Sequence, residues 1–323
     1  MRPLLHTLAA AAAFCFPTAP LQAQPWPNKA LRIIIPFPGA GGAADVTGRL
    51  AGQKLSEALG QPVVIDNRPG SGGNIGIESA AKAAPDGYTL LVSAPSLTIS
   101  PSLYSKLGYD PVKDFAPITL LTVSGIALAV NTSVPATNLK DFIAYAKSKP
   151  GGVNYGSAGG GTSSQLSGEL FNQMTGAKLT HIPYKGAGFA LQALIAGEVQ
   201  AAFLSTTTAS AQVKTGRIKA LAVLSPKRFS AAPDVPSAPE SGLPGIESNV
   251  WFGLFAPAGT PKAIVARINR DVVAALTHPD ARDTLLSQGA EAAPMTPDEF
   301  AAFLKKEIDK WGKVIKDAGI RSE

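Results

Sequence analysis

Two segments of this 323-residue chain share one pattern, in which an apolar strand runs into a Gly- and Ser-rich bend that opens a helix. In the first, the predicted strand Leu31–Phe37 leads into Pro38–Asp45. In the second, the predicted strand Val153–Gly156 leads into Ser157–Ser164. Such bends leave the first N–H groups of a helix unpaired at the positive end of its dipole, and neither bend contains Lys or Arg. The pattern therefore predicts two helix N-termini that clamp a small anion through the backbone.

Residues 1–23 have the composition of an export signal. Arg2 supplies a positive start, Leu4–Phe16 is an Ala-rich apolar run, and a cleavage region ends at Ala23. The run is shorter than the roughly 20 residues that a membrane span needs. We therefore predict a periplasmic protein whose signal peptide is cleaved near Ala23. Cys15 is the only cysteine, so the mature chain has no disulfide and no thiol chemistry.

The formal net charge of the chain is +6 at pH 7, which raises the question of nucleic-acid binding. The densest basic stretch lies between Lys305 and Lys316, where acidic residues separate the lysines. Both signs of charge at helical spacing are typical of a solvated helix face. We therefore expect no nucleic-acid partner.

Strands and helices alternate along the mature chain, which predicts α/β architecture with ligands at the carboxyl ends of parallel strands. One β-α-β-α-β unit ends at Ser93 and a second begins near Gly125, and we assign no element between residues 94 and 119. Thr296 and Glu299 form a capping-box pattern that predicts the start of a C-terminal helix.

Two apolar segments, Leu120–Val130 and Val250–Ala256, lie at the two ends of the second unit. We predict that they pair as crossover strands between two lobes. This implies a hinge and a cleft that both Gly-rich bends face. Lobe one is then discontinuous and comprises residues 24–125 and 250–323, whereas lobe two comprises residues 126–249.

Few groups suited to catalysis remain in the mature chain. Its only histidines, His181 and His278, lie in a predicted strand and at a helix end, where structural roles are expected. The sequence has no HExxH, CxxC or clustered carboxylates, which are patterns of metal sites, and no P-loop motif. No nucleophile–base pair can be recognised. We therefore predict no enzyme activity, no cofactor and no metal.

Dinucleotide binding is the alternative that competes with anion capture. Gly39–Ala44 matches the G-x-G-x-x-A fingerprint after a strand, and Asp66 ends the next strand where a ribose-binding acid would lie. Against this, two prolines stiffen the turn, Asp45 would lie close to any pyrophosphate, and an exported protein meets little free NAD. A lone fingerprint of this kind is weak. An exported α/β dinucleotide-binding enzyme therefore stays as the second hypothesis.

Eight stretches, in order along the mature chain, carry a resemblance to a known family: Ile35–Asp45, Asp66–Gly76, Ala84–Leu90, Tyr155–Ser157, Ile182–Gly186, Ala220–Val223, Trp251–Pro261 and Trp311–Ile320. In these stretches the chain resembles the substrate-binding proteins of the tripartite tricarboxylate transporters, the Bug family. The resemblance implies a two-lobed, type II-like periplasmic binding protein fold, α/β, with each lobe a mostly parallel sheet flanked by helices and two crossover strands at the hinge. It also implies no catalysis, and a small carboxylate held by backbone N–H groups, hydroxyls and bridging waters.

The same resemblance implies which positions contact the carboxylate. They lie in the two bends and at strand ends: Phe37, Gly39, Ala40, Gly41, Asp45 and Ser93 in lobe one, and Ser157, Thr162, Ser163, Tyr184 and Thr206 in lobe two. Other interpretations stay open, since Asp45 also suits a dipole partner in the first helical turn and Tyr184 a core position. The implied partners are membrane transporter subunits or a membrane sensor, and we expect a monomer.

Three positions depart from the family pattern. Gln165 stands where the family usually has His, and Gln200 and Leu204 replace acidic residues that are common around that strand. Without those acids an amino group on the ligand loses its partner, so we expect a simple carboxylate. The sequence does not choose among dicarboxylates, tricarboxylates, amino acids and aromatic acids. Lys185 is expected to be a solvated charge.

Overall fold

The computed structural model describes residues 26–39 and 42–320. The predicted signal peptide, residues 1–23, lies outside the described residues, and so do Ala40 and Gly41 of the first bend. Within the described ranges, no helix is both long and apolar enough to span a membrane.

Strands and helices alternate through most of the described chain. The strands are β1 (Leu31–Ile35), β2 (Val63–Asn67), β3 (Thr89–Ser93), β4 (Phe115–Asn131), β5 (Val153–Ser157), β6 (Leu179–Pro183), β7 (Ala201–Ser205), β8 (Ile218–Val223), β9 (Asn249–Pro257) and β10 (Glu291–Ala292). The helices are α1 (Ala43–Leu59), α2 (Asn74–Ala81), α3 (Ser96–Leu103), α4 (Leu139–Ser148), α5 (Ser163–Thr175), α6 (Ala187–Ala196), α7 (Thr206–Lys214), α8 (Lys262–Thr277), α9 (Pro279–Ser287) and α10 (Pro297–Ala318).

The strands of the described chain form one sheet in the order β2-β1-β3-β9-β4-β7-β5-β6, with β8 and β10 also paired to β4. The outer strands pair in parallel at both ends, as β2-β1-β3 and as β6-β5-β7. The central strands β9 and β4 run antiparallel to their neighbours. The predicted α/β class is confirmed, with parallel outer strands flanked by helices and an antiparallel centre.

Strand β4 crosses the molecule. From Phe115 to Gly125 it pairs with β9, and from Ile126 to Asn131 it pairs with β7 and β8. The two apolar segments that were predicted to be paired crossover strands therefore do pair, in antiparallel register. The change of partner between Gly125 and Ile126 supports the lobe boundary that we propose there.

Helix α1 packs closely on the sheet of lobe one because it presents small residues to the strands. A Cβ atom at Gly52 would lie 2.9 Å from Ile65 Cδ1, so a larger residue would push the helix away. Ala43 and Ala44 are buried in the same apolar cluster as Ile33 of β1. This packing fixes the N-terminus of α1 beside the end of β1.

An aromatic cluster forms the core of lobe two. Phe203 of β7 lies with its ring centroid 5.5 Å from that of Tyr155 in β5 and 5.7 Å from that of Phe171 in α5. All three side chains are fully buried, and each such burial contributes about 1.5–3 kcal/mol. The cluster holds α5 against β5 and thereby positions the second Gly-rich bend.

Helix α10 packs on lobe one and also contacts lobe two. It begins with the predicted capping box, in which Thr296 and Glu299 bond each other's backbone N–H groups. Further along, Trp311 packs in one apolar cluster with Ile99 of α3 and Leu166 of α5. Since α5 belongs to lobe two, the two lobes are in apolar contact in this structure.

Two helices, the short strand β10 and the start of strand β4 were not predicted from the sequence. Helix α3 contains Pro101, and α7 begins with three threonines, and both features lower helix propensity. Tertiary packing outweighs propensity in α3, where Leu97 and Ile99 are fully buried. Strand β4 begins at Phe115, ahead of the start predicted at Leu120. The earlier start was missed because Pro117 is a residue that disfavours a central strand.

Candidate functional site

A cavity of about 330 Å³ lies between the two lobes. Its walls come from the segments that follow β1, β3, β5, β6 and β7, at the carboxyl ends of the parallel strands. Its floor is formed by Phe203, Val250 and Phe252, which lie on β7 and β9 beside the crossover. This is the position at which open α/β sheets bind their ligands.

Five helices begin at this cavity. Their N-cap residues all line it: Gly42 for α1, Pro95 for α3, Thr162 for α5, Gly186 for α6 and Ser205 for α7. Of the five, α7 has a side-chain cap, whereas α1, α3, α5 and α6 have none. Free first-turn N–H groups and the positive ends of the helix dipoles attract anions. In α3, two of these N–H groups, those of Leu97 and Thr98, already donate to the carbonyl oxygens of Ala94 and Pro95 at 2.9 Å. The structure thus brings both predicted bends to the cavity and adds three further helix starts.

The cavity carries little charge of its own. Among the described residues that line it, none is Asp or Glu, and Lys185 is the one base, exposed at the mouth near Phe189. No group of three or more His, Cys, Asp or Glu in the described ranges could hold a metal ion. Hydrogen bonds to an anion strengthen in such low-dielectric surroundings. The cavity therefore suits a small anion.

Three of the predicted site residues line the cavity, namely Phe37, Thr162 and Ser163. Gly39 is exposed beside the opening, where a Cβ atom would lie 2.8 Å from Asn67 Oδ1. Ala40 and Gly41 lie outside the described residues. The remaining five predicted residues are not part of the cavity lining.

Asp45 fits the interpretation as a dipole partner in the first turn of α1. It is buried, and its carboxylate accepts hydrogen bonds from Arg49 Nε at 3.0 Å and from Asn67 Nδ2 at 3.2 Å. The same amide of Asn67 donates to the carbonyl oxygen of Phe37 at 3.1 Å. Asp45 therefore ties α1 to the first bend and does not line the cavity.

Tyr184 and Thr206 also lie away from the cavity lining. Tyr184 packs on the apolar cluster beneath α6, which is the core position that the sequence left open. Thr206 Oγ1 donates to the carbonyl oxygen of Gly289 at 2.5 Å and so joins α7 to lobe one. The polar run at the start of α7 reaches the cavity through Thr208, because successive residues of a helix point in different directions.

Ser157 lies behind the second bend and is fully buried. Its Oγ atom is 2.6 Å from His181 Nε2 and accepts a hydrogen bond from the backbone N–H of Gly159 at 3.1 Å. Thr162 Oγ1 donates to the carbonyl oxygen of Gly159 at 2.7 Å. A histidine and two hydroxyls therefore fix the bend from which α5 begins. Burial lowers the pKa of His181 to about 4, so this histidine is neutral at pH 7.

We expect the stability of the protein to fall by about 1.5 kcal/mol between pH 7 and pH 5 because of His181. The unfolded chain takes up a proton below pH 6.5, whereas the folded chain resists protonation until about pH 4. Protonation therefore favours unfolding in this window. Urea titrations at both pH values measure the effect. H181Q should remove it, and H278Q, which changes an exposed histidine, should retain it. Identical pH dependence in all three proteins would contradict the prediction.

Sequence reasoning missed helix α3 altogether, and it predicted helix α6 without assigning the start of that helix to the site. Ser96 and Gly186 lie within three residues of the predicted strand ends Ser93 and Pro183, where a parallel sheet collects its ligands, so the signal was present. Ser93 itself is fully buried behind this wall. Lys185 is exposed, as expected, but it also lines the cavity mouth.

Comparison with known proteins agrees with this geometry. The family model described as tripartite tricarboxylate transporter family receptor, TctC, matches residues 47–320. The chain belongs to this family. It is 35% identical to protein BugT of Bordetella pertussis (strain Tohama I) over 305 residues, which cover 94% of this chain and 93% of that protein.

Solved structures of similar proteins share the fold. The malate-bound structure of MatC from Rhodopseudomonas palustris is 36% identical, with a TM-score of 0.84 over 90% of this chain and 100% of that chain. The R. palustris protein Rpa4515 with adipate is also 36% identical, with a TM-score of 0.88 over 92% of this chain and 100% of that chain. The periplasmic binding protein BugD is 32% identical, with a TM-score of 0.86 over 92% of this chain and 100% of that chain. The predicted periplasmic binding protein fold and family are confirmed.

The dinucleotide alternative does not fit this family of receptors. Asp66, which was to bind a ribose, accepts a hydrogen bond from Arg68 Nε at 2.8 Å and pairs with Arg32 at 3.8 Å. Its carboxylate therefore holds two arginines at the edge of lobe one. Pro38 and Gly42, in the same bend as the fingerprint, line a cleft shared with lobe two.

The residues that depart from the family pattern are held by the fold. Gln200 Oε1 accepts a hydrogen bond from the backbone N–H of Asn154 at 3.2 Å, and Leu204 is buried in an apolar cluster. Gln165 Oε1 accepts from the backbone N–H of Gly161 at 2.8 Å. None of the three lines the cavity. The expectation of a ligand without an amino group therefore depends on the lack of acids in the described lining, and not on these positions.

Proposed function

We propose that this chain is exported to the periplasm, binds a small carboxylate in the cavity between its lobes and delivers it to a tripartite tricarboxylate-type transporter. The observation that carries the proposal is the convergence of five helix N-termini on a cavity with no Asp or Glu among its described lining residues. Such a site holds a negative charge by backbone dipoles. The relatives MatC and Rpa4515 contain malate and adipate, which are carboxylates.

In this proposal the mature chain begins near Gln24, acts as a monomer and catalyses no reaction. Its membrane partner is a transporter subunit, with a membrane sensor as the alternative partner. The close pair of Ser157 and His181 does not supply a catalytic nucleophile, because Ser157 is fully buried and does not line the cavity.

A thermal-shift screen of the exported protein tests the proposal. The panel contains mono-, di- and tricarboxylates, amino acids, nicotinate and NAD. A carboxylate at about 100 times its Kd should add about 2.7 kcal/mol of stability. Stabilisation by NAD, with no effect of any carboxylate, would overturn the proposal. N-terminal sequencing of the secreted protein checks the export step, and a retained Met1 would contradict it.

The proposal requires the lobes to close on the ligand, and G72A should hinder that closure. Gly72 of lobe one has φ +65°, and a Cβ atom there would lie 2.7 Å from the carbonyl oxygen of Gly160 in lobe two. We expect ligand affinity to fall about tenfold, since an overpacked contact costs about 1–3 kcal/mol. Calorimetry measures the change in Kd.

G60A is the matched control. Gly60 has φ +66°, nearly the same as Gly72, but a Cβ atom there meets nothing within 4 Å. Both variants place alanine in the left-handed region and should lower the melting temperature of the free protein for that reason, and G72A should lower it further because its Cβ atom also meets the carbonyl oxygen of Gly160. A Kd that rises equally in both variants would show that lobe contact at Gly160 plays no part in binding.

A further inference from the structure

The floor of the cavity offers a ligand no polar partner. Phe203 and Phe252 are buried, and Val250 is half-buried on the crossover strand β9, two residues before Phe252. A ligand that reaches from the helix N-termini to this floor places its body against hydrocarbon. A hydroxyl group there would lose its bonds to water without replacement.

Most side-chain hydroxyls around the cavity are already engaged. Hydrogen bonds within the chain occupy those of Thr162, Ser164, Ser205 and Thr208. They contribute to the bends and helix caps and offer little to a hydroxylated ligand.

No hydrogen bond within the described residues occupies the hydroxyl of Ser163 or that of Ser96, and Ser96 is the more deeply buried of the two. It is the first residue of α3, lines the cavity and is 2% exposed, yet its Oγ atom has no hydrogen-bond partner among the described residues. The neighbouring hydroxyls on α3 do have partners, since Thr98 donates to Pro95 O at 2.9 Å and Ser100 to Asn74 Oδ1 at 2.9 Å. Buried hydroxyls are nearly always paired. The Oγ atoms of Ser93 and Ser96 both lack a partner among the described residues, but only Ser96 lines the cavity, so its hydroxyl is the one that a ligand can reach after a change of rotamer.

We propose that the cavity selects carboxylates with an apolar body over hydroxylated ones, whether the acid carries one or two carboxylates. The Oγ–H of Ser96 donates to a ligand carboxylate at the N-terminus of α3. Phe203, Val250 and Phe252 cover the ring or methylene chain that extends from it. This inference rests on the proposed function, because it names the class of carboxylate that the same cavity takes.

Matched pairs of acids test the selectivity by calorimetry. The pairs are benzoate with 4-hydroxybenzoate and glutarate with 3-hydroxyglutarate, which differ by one hydroxyl remote from the carboxylates. We expect at least one unsubstituted acid to bind, and its hydroxylated partner to bind about 10- to 100-fold more weakly. Equal affinities within a pair that binds would overturn the inference and leave the proposed function standing. If no carboxylate binds at all, the proposed function fails together with the inference.

Two variants separate the roles of the floor and of Ser96. V250T places a hydroxyl on the floor at nearly constant volume and should reduce the discrimination within a pair several-fold. V64T makes the same change at an exposed strand position and should leave the discrimination unchanged. S96A should weaken both members of a pair by about tenfold without lowering the melting temperature of the free protein, because it removes an unpaired buried hydroxyl. Wild-type discrimination in V250T, or wild-type affinity in S96A, would contradict the assignment.

Discussion

A43P should weaken carboxylate binding by about 10- to 100-fold while the protein folds normally. Ala43 is the first residue of α1, so its backbone N–H has no intrahelical acceptor and lies at the cavity. Proline removes this donor, and its fixed φ suits the first position of a helix. The preceding Gly42 has φ −67° and ψ 163°, an extended conformation that proline accepts in its neighbour. A hydrogen bond to a charged group contributes about 1.5–3 kcal/mol, which gives the expected loss of affinity.

K262P is the control for this variant. Lys262 is the first residue of α8, is exposed and does not line the cavity. It should bind ligand like the wild-type protein, and both variants should keep wild-type circular dichroism. S163P applies the same change to α5 on the opposite lobe and should weaken binding to a similar degree. If A43P and S163P bind with wild-type affinity, backbone donors at these two helices do not hold the anion.

E307A should lower the free energy of unfolding by about 2–6 kcal/mol. Glu307 Oε2 accepts hydrogen bonds from two indoles, Trp251 Nε1 at 2.9 Å and Trp311 Nε1 at 3.0 Å. Both tryptophans are essentially fully buried, so alanine would leave two buried N–H donors without a partner. Each unsatisfied donor costs about 1–3 kcal/mol. Trp251 lies on the crossover strand β9 and Trp311 on α10, so this carboxylate joins the hinge region to the C-terminal helix.

E307Q distinguishes the loss of the acceptor from the loss of the charge. The glutamine carbonyl oxygen can still accept from both indoles, so E307Q should cost less than about 1 kcal/mol. Urea unfolding followed by tryptophan fluorescence measures both variants. Equal destabilisation by the two substitutions would show that the negative charge, which also pairs with Lys310 at 3.6 Å, matters more than the hydrogen bonds.

The sequence was most informative where local patterns and tertiary structure agree. The capping box at Thr296 and Glu299 predicts the start of α10 within one residue, and the strand β6 and helix α6 have the predicted bounds. Helix α3 was missed because Pro101 opposes helix formation locally, while burial of Leu97 and Ile99 favours it in the folded protein. That second contribution comes from residues distant in the chain, which a single sequence does not reveal.

The site was predicted in outline but not side chain by side chain. Both Gly-rich bends do open helices at the cavity, because glycine composition and strand pattern act locally. The sequence did not show that Asn67 and Arg49 take up both carboxylate oxygens of Asp45, which therefore does not line the cavity. Ser96 was missed for the opposite reason, since nothing near it in the sequence shows that its hydroxyl lacks a partner.

Anchoring an anion on backbone N–H groups makes charge recognition robust to mutation. Every residue except proline supplies the same donor, so almost any substitution at the first positions of α1, α5 or α6 keeps it. The contacts made by the side chains of the cavity floor do depend on residue type. A single substitution there changes the surface that contacts the part of the ligand beyond its carboxylate. After gene duplication, one copy of such a protein can therefore become specific for a different acid when a few apolar side chains are exchanged. Its backbone hydrogen bonds to the carboxylate stay the same.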